Sequence, residues 1–247
     1  MGTDRWAWRV VLVRPRNPLN IGAAARAMAN FGLEDLVVVA PYEPVWQEAR
    51  SAVGAEHVVK SARAAESLLD AIGDRALVVG TTTGCRRHLD RDLISLDDFP
   101  RWLARRKVRG RAALLFGSEK TGLSNEHLSH CHAWVRIPTA SPCPSMNLGQ
   151  AVAVCCYELA RSGMLHPAPG ATRPHSLDPA CVHSLEHLLE RSIRVLEAAS
   201  YFTPKTRRAQ ILKLRRFLFH LGLTNRDARI LGAVLAQVEW KIGSSPK

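Results

Sequence analysis

Short apolar runs rich in β-branched residues alternate with segments of helical period over the first two thirds of the chain. Val10–Val13, Leu36–Val39, Ala76–Gly80, Ala112–Phe116 and Trp134–Ile137 read as strands. Between them, Asn20–Phe31 carries Ala, Met and Arg at helical spacing and stops at Gly32. Ala64–Ile72, the basic Phe99–Lys107 and the long apolar Met146–Met164 read as further helices. Strands apolar on both faces and separated by helices predict a parallel sheet covered on both sides. Ligands of such sheets bind beyond the carboxyl ends of the strands.

The pattern breaks after this. Residues 165–179 contain Pro167, Pro169, Gly170, Pro174 and Pro179, which cannot continue a helix and read as a linker. Beyond it the period is helical throughout. Leu185, Leu188, Leu189, Ile193 and Leu196 form one stripe, Ile211, Leu212, Leu214, Phe217, Leu218 and Leu221 a second, and Ile230, Leu231, Val234, Leu235 and Val238 a third. Thr224 and Asp227 have the spacing of a capping box for the last of these. The predicted organisation is an α/β domain over 1–164, a linker over 165–179 and a small all-α module over 180–247.

Charge adds a partner. The 247 residues carry 34 Lys and Arg against 22 Asp and Glu, or 34 − 22 = +12. Residues 161–247 hold 14 basic and 6 acidic side chains, so one third of the chain supplies +8 of that excess. Such a balance points to a polyanion, and nucleic acid is the usual one. The bland reading is a solubilising surface. No apolar run approaches the roughly 20 residues of a membrane span, and no signal-type stretch precedes the first strand, so a soluble, cytoplasmic protein is expected. The six cysteines form no CxxC pair and have no histidine companion at zinc spacing, so no metal is expected. Cys155 and Cys156 fall in an apolar helical run, where thiols act as small hydrophobes.

Three polar, glycine-bearing blocks follow predicted strands. In Asn20–Arg26, Gly22 permits close backbone approach and Asn20 can cap the helix it opens. A capped helix would explain that much, but not Arg26, whose guanidinium can grip a phosphate in a fork. In Phe116–Gly122, the GxxxxGK[ST] spacing of a phosphate loop fails. Glu119 there has two readings, a cap for a helix over Ser124–His130 or a side chain facing the carboxyl edge of the sheet. In Pro144–Gln150, Ser145 and Asn147 are good helix caps, yet the stiff Pro142-Cys143-Pro144 approach leads to free helix-start amides, which suit polar ligands. Thr81-Thr82-Thr83-Gly84 is a fourth loop, with Arg86 and Arg87 behind it.

Together these blocks resemble the signature motifs of the SPOUT superfamily, in its SpoU/TrmH branch of RNA 2′-O-methyltransferases. Its N-x-G-x-x-x-R is matched by Asn20, Gly22 and Arg26. Its strand-ending glycine and glutamate are matched by Gly117 and Glu119. Its hydrophobic-Pro pair followed by S-[LM]-N-[LV] is matched by Ile137, Pro138, Ser145, Met146, Asn147 and Leu148. FGSEKTGLSNEHLSHCH, SMNLGQAVAVCCYELAR and the KLRRF segment (Lys213–Phe217) resemble the TrmJ subgroup, which acts on nucleotide 32 of the tRNA anticodon loop. That subgroup usually has a tyrosine-serine pair where this chain has Cys143-Pro144.

The resemblance implies a deep trefoil knot in the catalytic domain, an exception to the general rule against knots. It also implies a homodimer that completes the site across its interface, S-adenosylmethionine as methyl donor, and tRNA as partner. Thr81, Thr82, Thr83, Gly117, Ile137, Pro144, Ser145 and Met146 would hold the cofactor. Arg26, Asn20, Glu119, Ser145 and Asn147 would form the catalytic group. Arginine keeps its proton, so Arg26 would grip phosphate or steady a developing alkoxide rather than act as base. Arg86, Arg207, Arg208, Lys213, Arg215 and Arg216 would contact RNA. The competing readings are a methyltransferase for ribosomal RNA or another tRNA position, and a non-catalytic RNA-binding protein on the same fold. A Rossmann enzyme is disfavoured because GxGxxG is absent after the first strand.

Overall fold

The structure is a computed structural model that describes residues 6–41, 51–84, 93–106, 110–165 and 178–243. The first element is β1 (Ala7–Val13), followed by α1 (Pro18–Asn30), β2 (Leu36–Val39), α2 (Glu56–Ser61) and β3 (Arg63–Ala65). Next come α3 (Leu68–Ile72), β4 (Leu77–Thr81), β5 (Leu93–Ser95), α4 (Phe99–Ala104) and β6 (Arg111–Phe116). The chain continues through α5 (Asn125–Ser129), β7 (Ala133–Arg136), α6 (Leu148–Arg161), α7 (Val182–Ala198), α8 (Arg207–His220) and α9 (Asn225–Gly243).

The strands form one sheet in the order β3-β2-β1-β6-β4-β7-β5, and each adjacent pair is parallel. Side-chain alternation then assigns two cores. Val10, Leu12, Leu36, Val38, Leu77, Val79, Leu114 and Phe116 pack with α1 and α6 on one face. Val11, Val13, Val37, Val39, Val78, Leu115 and Trp134 pack with α3 and α5 on the other, and with Val182, Leu185, Phe219 and Ala228 from the C-terminal helices. The apolar runs predicted as strands are therefore buried on both faces.

Three features differ from the sequence expectation. The helix expected over Ala64–Ile72 is the edge strand β3 followed by the short α3, because Arg63–Ala65 pairs with Val37–Val39. A reciprocal capping box of Ser67 and Asp70 then starts the helix only at Leu68. Two elements, α2 and the other edge strand β5, were not expected at all. Of the expected linker, 166–177 lie outside the described residues. The capping box expected at Thr224 and Asp227 is present: the Asp227 carboxylate accepts from the Thr224 amide at 3.0 Å, and Thr224 Oγ1 accepts from the Asp227 amide at 3.2 Å.

Candidate active site

The sheet order places β6 between β1 and β4, so the carboxyl ends of β4, β6 and β7 lie side by side. Their outgoing loops and the start of α6 enclose a cleft of about 480 Å³. Thr81, Thr82 and Thr83 come from β4, Gly117 and Glu119 from β6, and Ile137, Pro144, Ser145 and Met146 from the segment between β7 and α6. Every residue expected at the cofactor lines this one cleft.

Local chemistry shapes these loops. Thr81 Oγ1 donates to the Leu115 carbonyl at 2.9 Å and the Thr82 amide donates to Val135 at 3.0 Å, tying the β4 end to both neighbours. The β6 loop doubles back through Gly122 (φ 64°), whose amide donates to Ser118 at 2.7 Å. A side chain at Gly117 would meet the Gly122 carbonyl carbon at 2.0 Å, so the reversal requires glycine there. Thr139 Oγ1 donates to the Pro144 carbonyl at 3.0 Å and the Cys143 amide to Ala140 at 3.0 Å, which folds the Cys143-Pro144 variant segment onto itself.

A hydrogen-bonded relay crosses the cleft rim. Asn147 Nδ2 donates to Asn20 Oδ1 at 2.9 Å, and Asn20 Nδ2 donates to Glu119 Oε1 at 2.8 Å. Glu119 also accepts from the Arg16 amide at 2.9 Å and the Asn17 amide at 3.2 Å. This relay pins α6, α1 and the β6 loop together. Desolvation opposes the Glu119 charge, but these hydrogen bonds, led by Asn20, outweigh it and hold the carboxyl below its ordinary 4.5. A depressed carboxyl contributes above its unfolded value and loses that contribution as pH falls through the folded value. The Arg16 and Asn17 amide NMR signals are therefore expected to titrate with a midpoint below 4.5. A midpoint at or above that value would remove the relay from the native loop.

The caps differ from those expected. Asn17 caps α1, its Oδ1 accepting from the Leu19 amide at 2.9 Å, while Asn20 sits in the first turn with its amide turned to Glu119 and Asn147. Glu119 does not cap α5, because Ser124 does so in a box with His127. Asn147 rather than Ser145 caps α6, accepting from the Gly149 and Gln150 amides at 2.9 and 3.4 Å. Sequence reasoning missed the Arg14–Asn17 approach altogether. Arg14, the residue after β1, has φ 52°, a costly conformation for a residue with a side chain. The Asn17-Pro18 pair, a cap followed by proline in the first turn, was the signal that marked the true helix start.

Arg26 stands apart. It lies on the exposed side of α1, lines no part of the cleft, and its side chain makes no hydrogen bond or ion pair among the described residues. The basic candidates divide as well. Arg207 pairs with Glu197 at 2.5 Å and Arg208 with Glu126 at 3.5 Å. Arg215 turns inward, bonding the buried Glu186 at 2.8 Å and Ser129 Oγ at 3.3 Å, which makes it part of the α7–α8 packing. Lys213 is exposed, and the Arg216 guanidinium lies 5.8 Å from the Trp134 ring centroid. Arg86 lies outside the described residues. Burial raises the Cys156 thiol to about 12, so it packs as a hydrophobe as expected.

The model of the SpoU rRNA Methylase family matches residues 7–157. A Haemophilus influenzae protein described as an uncharacterized tRNA/rRNA methyltransferase is 32% identical, with 95% of both chains covered. The tRNA (cytidine/uridine/adenosine-2′-O-)-methyltransferase TrmJ of Pseudomonas aeruginosa is 30% identical, covering 94% of this chain and 93% of its own. The crystal structure of TrmJ from Z. mobilis superposes with a TM-score of 0.79 at 29% identity, over 94% of this chain and 98% of that one. With its parallel sheet and with the loops that carry the motifs meeting in one cleft, the chain belongs to the SpoU methylase family.

Proposed function

We propose that this protein transfers the methyl group of S-adenosylmethionine to a ribose 2′-hydroxyl of tRNA, at nucleotide 32 of the anticodon loop, and that it works as a cytoplasmic homodimer. The observation that carries the reading is the single cleft at the carboxyl ends of β4, β6 and β7, with the Asn147–Asn20–Glu119 relay on its rim. Likeness over nearly the whole chain to proteins named as tRNA 2′-O-methyltransferases supports tRNA over ribosomal RNA. The cleft suits the donor: about 480 Å³ lies within the roughly 300–1,000 Å³ of small-ligand sites. Its wall combines loop backbone at Gly117 and Pro144 with apolar Ile137, Leu123 and Leu148.

When bound, the donor supplies an electrophilic methyl group on a sulfonium, so the chain's task is alignment and proton management. The tied loop ends of β4, β6 and β7 hold the cleft open in one shape. The Ser145 hydroxyl has no partner among the described residues and is available to the ribose. Glu119, kept ionised, is an acceptor that fixes Asn20 and, through it, Asn147. Arg26 is exposed and lines no part of its own cleft, so we assign it to the cleft of a second copy, where a guanidinium beside the reacting ribose favours the alkoxide as the hydroxyl proton passes to solvent water. The trefoil knot implied by the resemblance is carried with this reading.

Incubating the protein with labelled donor and total RNA, then mapping the mark, tests the proposal. A 2′-O-methyl group at nucleotide 32 of tRNA is expected. A mark on ribosomal RNA would replace the substrate, and absence of donor binding by calorimetry would favour a non-catalytic RNA-binding protein.

A further inference from the structure

A second cavity of about 1,130 Å³ lies along the outer edge of the sheet and, among the described residues, shares no lining residue with the methyl-transfer cleft. Its floor is β5, the edge strand, with Ala133 and His132 at the amino end of β7. One wall is α4 with the turn after it, which presents Arg101, Arg105 and Arg106. The other wall is α8, which presents Lys213, Arg216 and His220. Among the described lining residues Asp98 is the one carboxylate, so their Arg and Lys balance is 5 − 1 = +4. Asp98 engages Arg101 only at 3.7 Å. The side chains of Arg105, Lys213 and His220 make no hydrogen bond or ion pair among the described residues.

Such a surface could merely be solvated, but two aromatic rings argue otherwise. The Arg106 guanidinium lies 4.1 Å from the Trp102 ring centroid at the groove wall. Phe217 is 57% exposed on the facing helix, between Arg216 and His220 in the groove. A large exposed apolar ring among cations is unfavourable in water and useless to an inorganic anion. It suits a polymer that brings phosphates and flat bases together. A membrane surface fits poorly, because the cations line a two-walled groove rather than a flat face.

We propose that this groove is an RNA-holding site, in which Arg105 and Lys213 from opposite walls grip phosphates of the bound RNA and Phe217 stacks on a base. It rests on the reading of the protein as an RNA methyltransferase, and it holds a part of the RNA away from the reacting ribose. The two walls come from segments far apart in sequence, which explains why charge counted along the chain pointed only to the C-terminal third.

The test uses the full chain, whole tRNA and a series of salt concentrations. R105E/K213E is expected to raise the Kd for tRNA on the order of tenfold and to reduce the log–log salt slope by about two. Phe217→Ala is expected to weaken binding about five-fold or more with the slope unchanged, because stacking releases no counterions. Both changes lie at exposed side chains, so a thermal melt is expected to be unaltered, as is S-adenosylmethionine affinity. Unchanged tRNA affinity and slope in R105E/K213E would overturn the groove. If the unaltered protein binds tRNA with this salt dependence but methylates none, the functional reading falls while the groove stands. If it methylates tRNA and R105E/K213E binds as well as it does, the groove falls alone.

Discussion

Arg26→Ala is expected to lower kcat for methyl transfer at least 10²–10³-fold, the order seen when a donor to developing negative charge is removed, while S-adenosylmethionine affinity stays unchanged. The separation follows from position, since Arg26 is exposed on α1 and touches no wall of the cleft. The same position makes a stronger prediction about the dimer. Gly117→Ala disables the cleft from the other side, because its side chain would land 2.0 Å from the Gly122 carbonyl carbon. Each variant alone is expected to be inactive. Mixed in equal amounts and allowed to exchange subunits, they form mixed dimers in about half of the cases. Each mixed dimer has one intact cleft facing one intact Arg26. About a quarter of the unaltered activity is then expected to return. If Arg26 served its own cleft, the mixture would stay inactive, and substantial turnover by Arg26→Ala alone would remove the residue from the mechanism.

The outcome bears on how much of the site the sequence could disclose. The five central strands were legible because each is buried on both faces, so its residues are apolar without interruption. The edge strands were not. Leu93–Ser95 is half-buried throughout and only three residues long, and Arg63–Ala65 is shorter in pattern than the helix period around it. The cleft residues were legible as a set, because glycines and small polar groups after strands are where a parallel sheet must receive its ligand. Their partners were not. Local spacing makes Asn20 a cap and Glu119 either a cap or a site residue, and only tertiary contact decides. The bond from Asn20 to Glu119 joins residues 99 positions apart, and that from Asn147 to Asn20 joins residues 127 apart. Arg215 shows the same limit in reverse. Within KLRRF it reads as one more surface cation, but the helix turns it onto Glu186, where burial opposes the carboxylate charge while His130, 3.2 Å away, and Arg215 sustain it.

Removing everything after residue 164 is expected to do more than weaken RNA binding. Residues of α7, α8 and α9 complete one face of the sheet: Val182, Leu185, Phe219 and Ala228 share a buried cluster with Val11, Val37, Leu115 and Trp134. The docking is close at several points. The Val182 amide donates to Arg75 at 3.0 Å and the His183 amide to Gly73 at 2.9 Å. The His183 ring fills the space that a side chain at Gly73 would need, 1.8 Å from its would-be Cβ. Phe219 is the centre of the seam, 1% exposed, with the His132 ring 5.2 Å and the His130 ring 6.2 Å away. Phe219→Ala in the full chain is expected to cost about 3–5 kcal/mol, a fall in melting temperature of about 6–20 °C at about 2–4 °C per kcal/mol. S-adenosylmethionine affinity at low temperature is expected to hold, because the cleft lies at the strand ends and not on this face. A chain ending at 164 bares the Trp134 side of the sheet and is expected to bind hydrophobic dyes and aggregate. Were that shortened chain to melt at the same temperature and bind the donor at full affinity, the helical segment would be a tethered RNA-binding unit with no share in the core. Loss of stability in Phe219→Ala, with the salt slope for tRNA unchanged, would instead establish the C-terminal helices as both a structural cover and a wall of the groove.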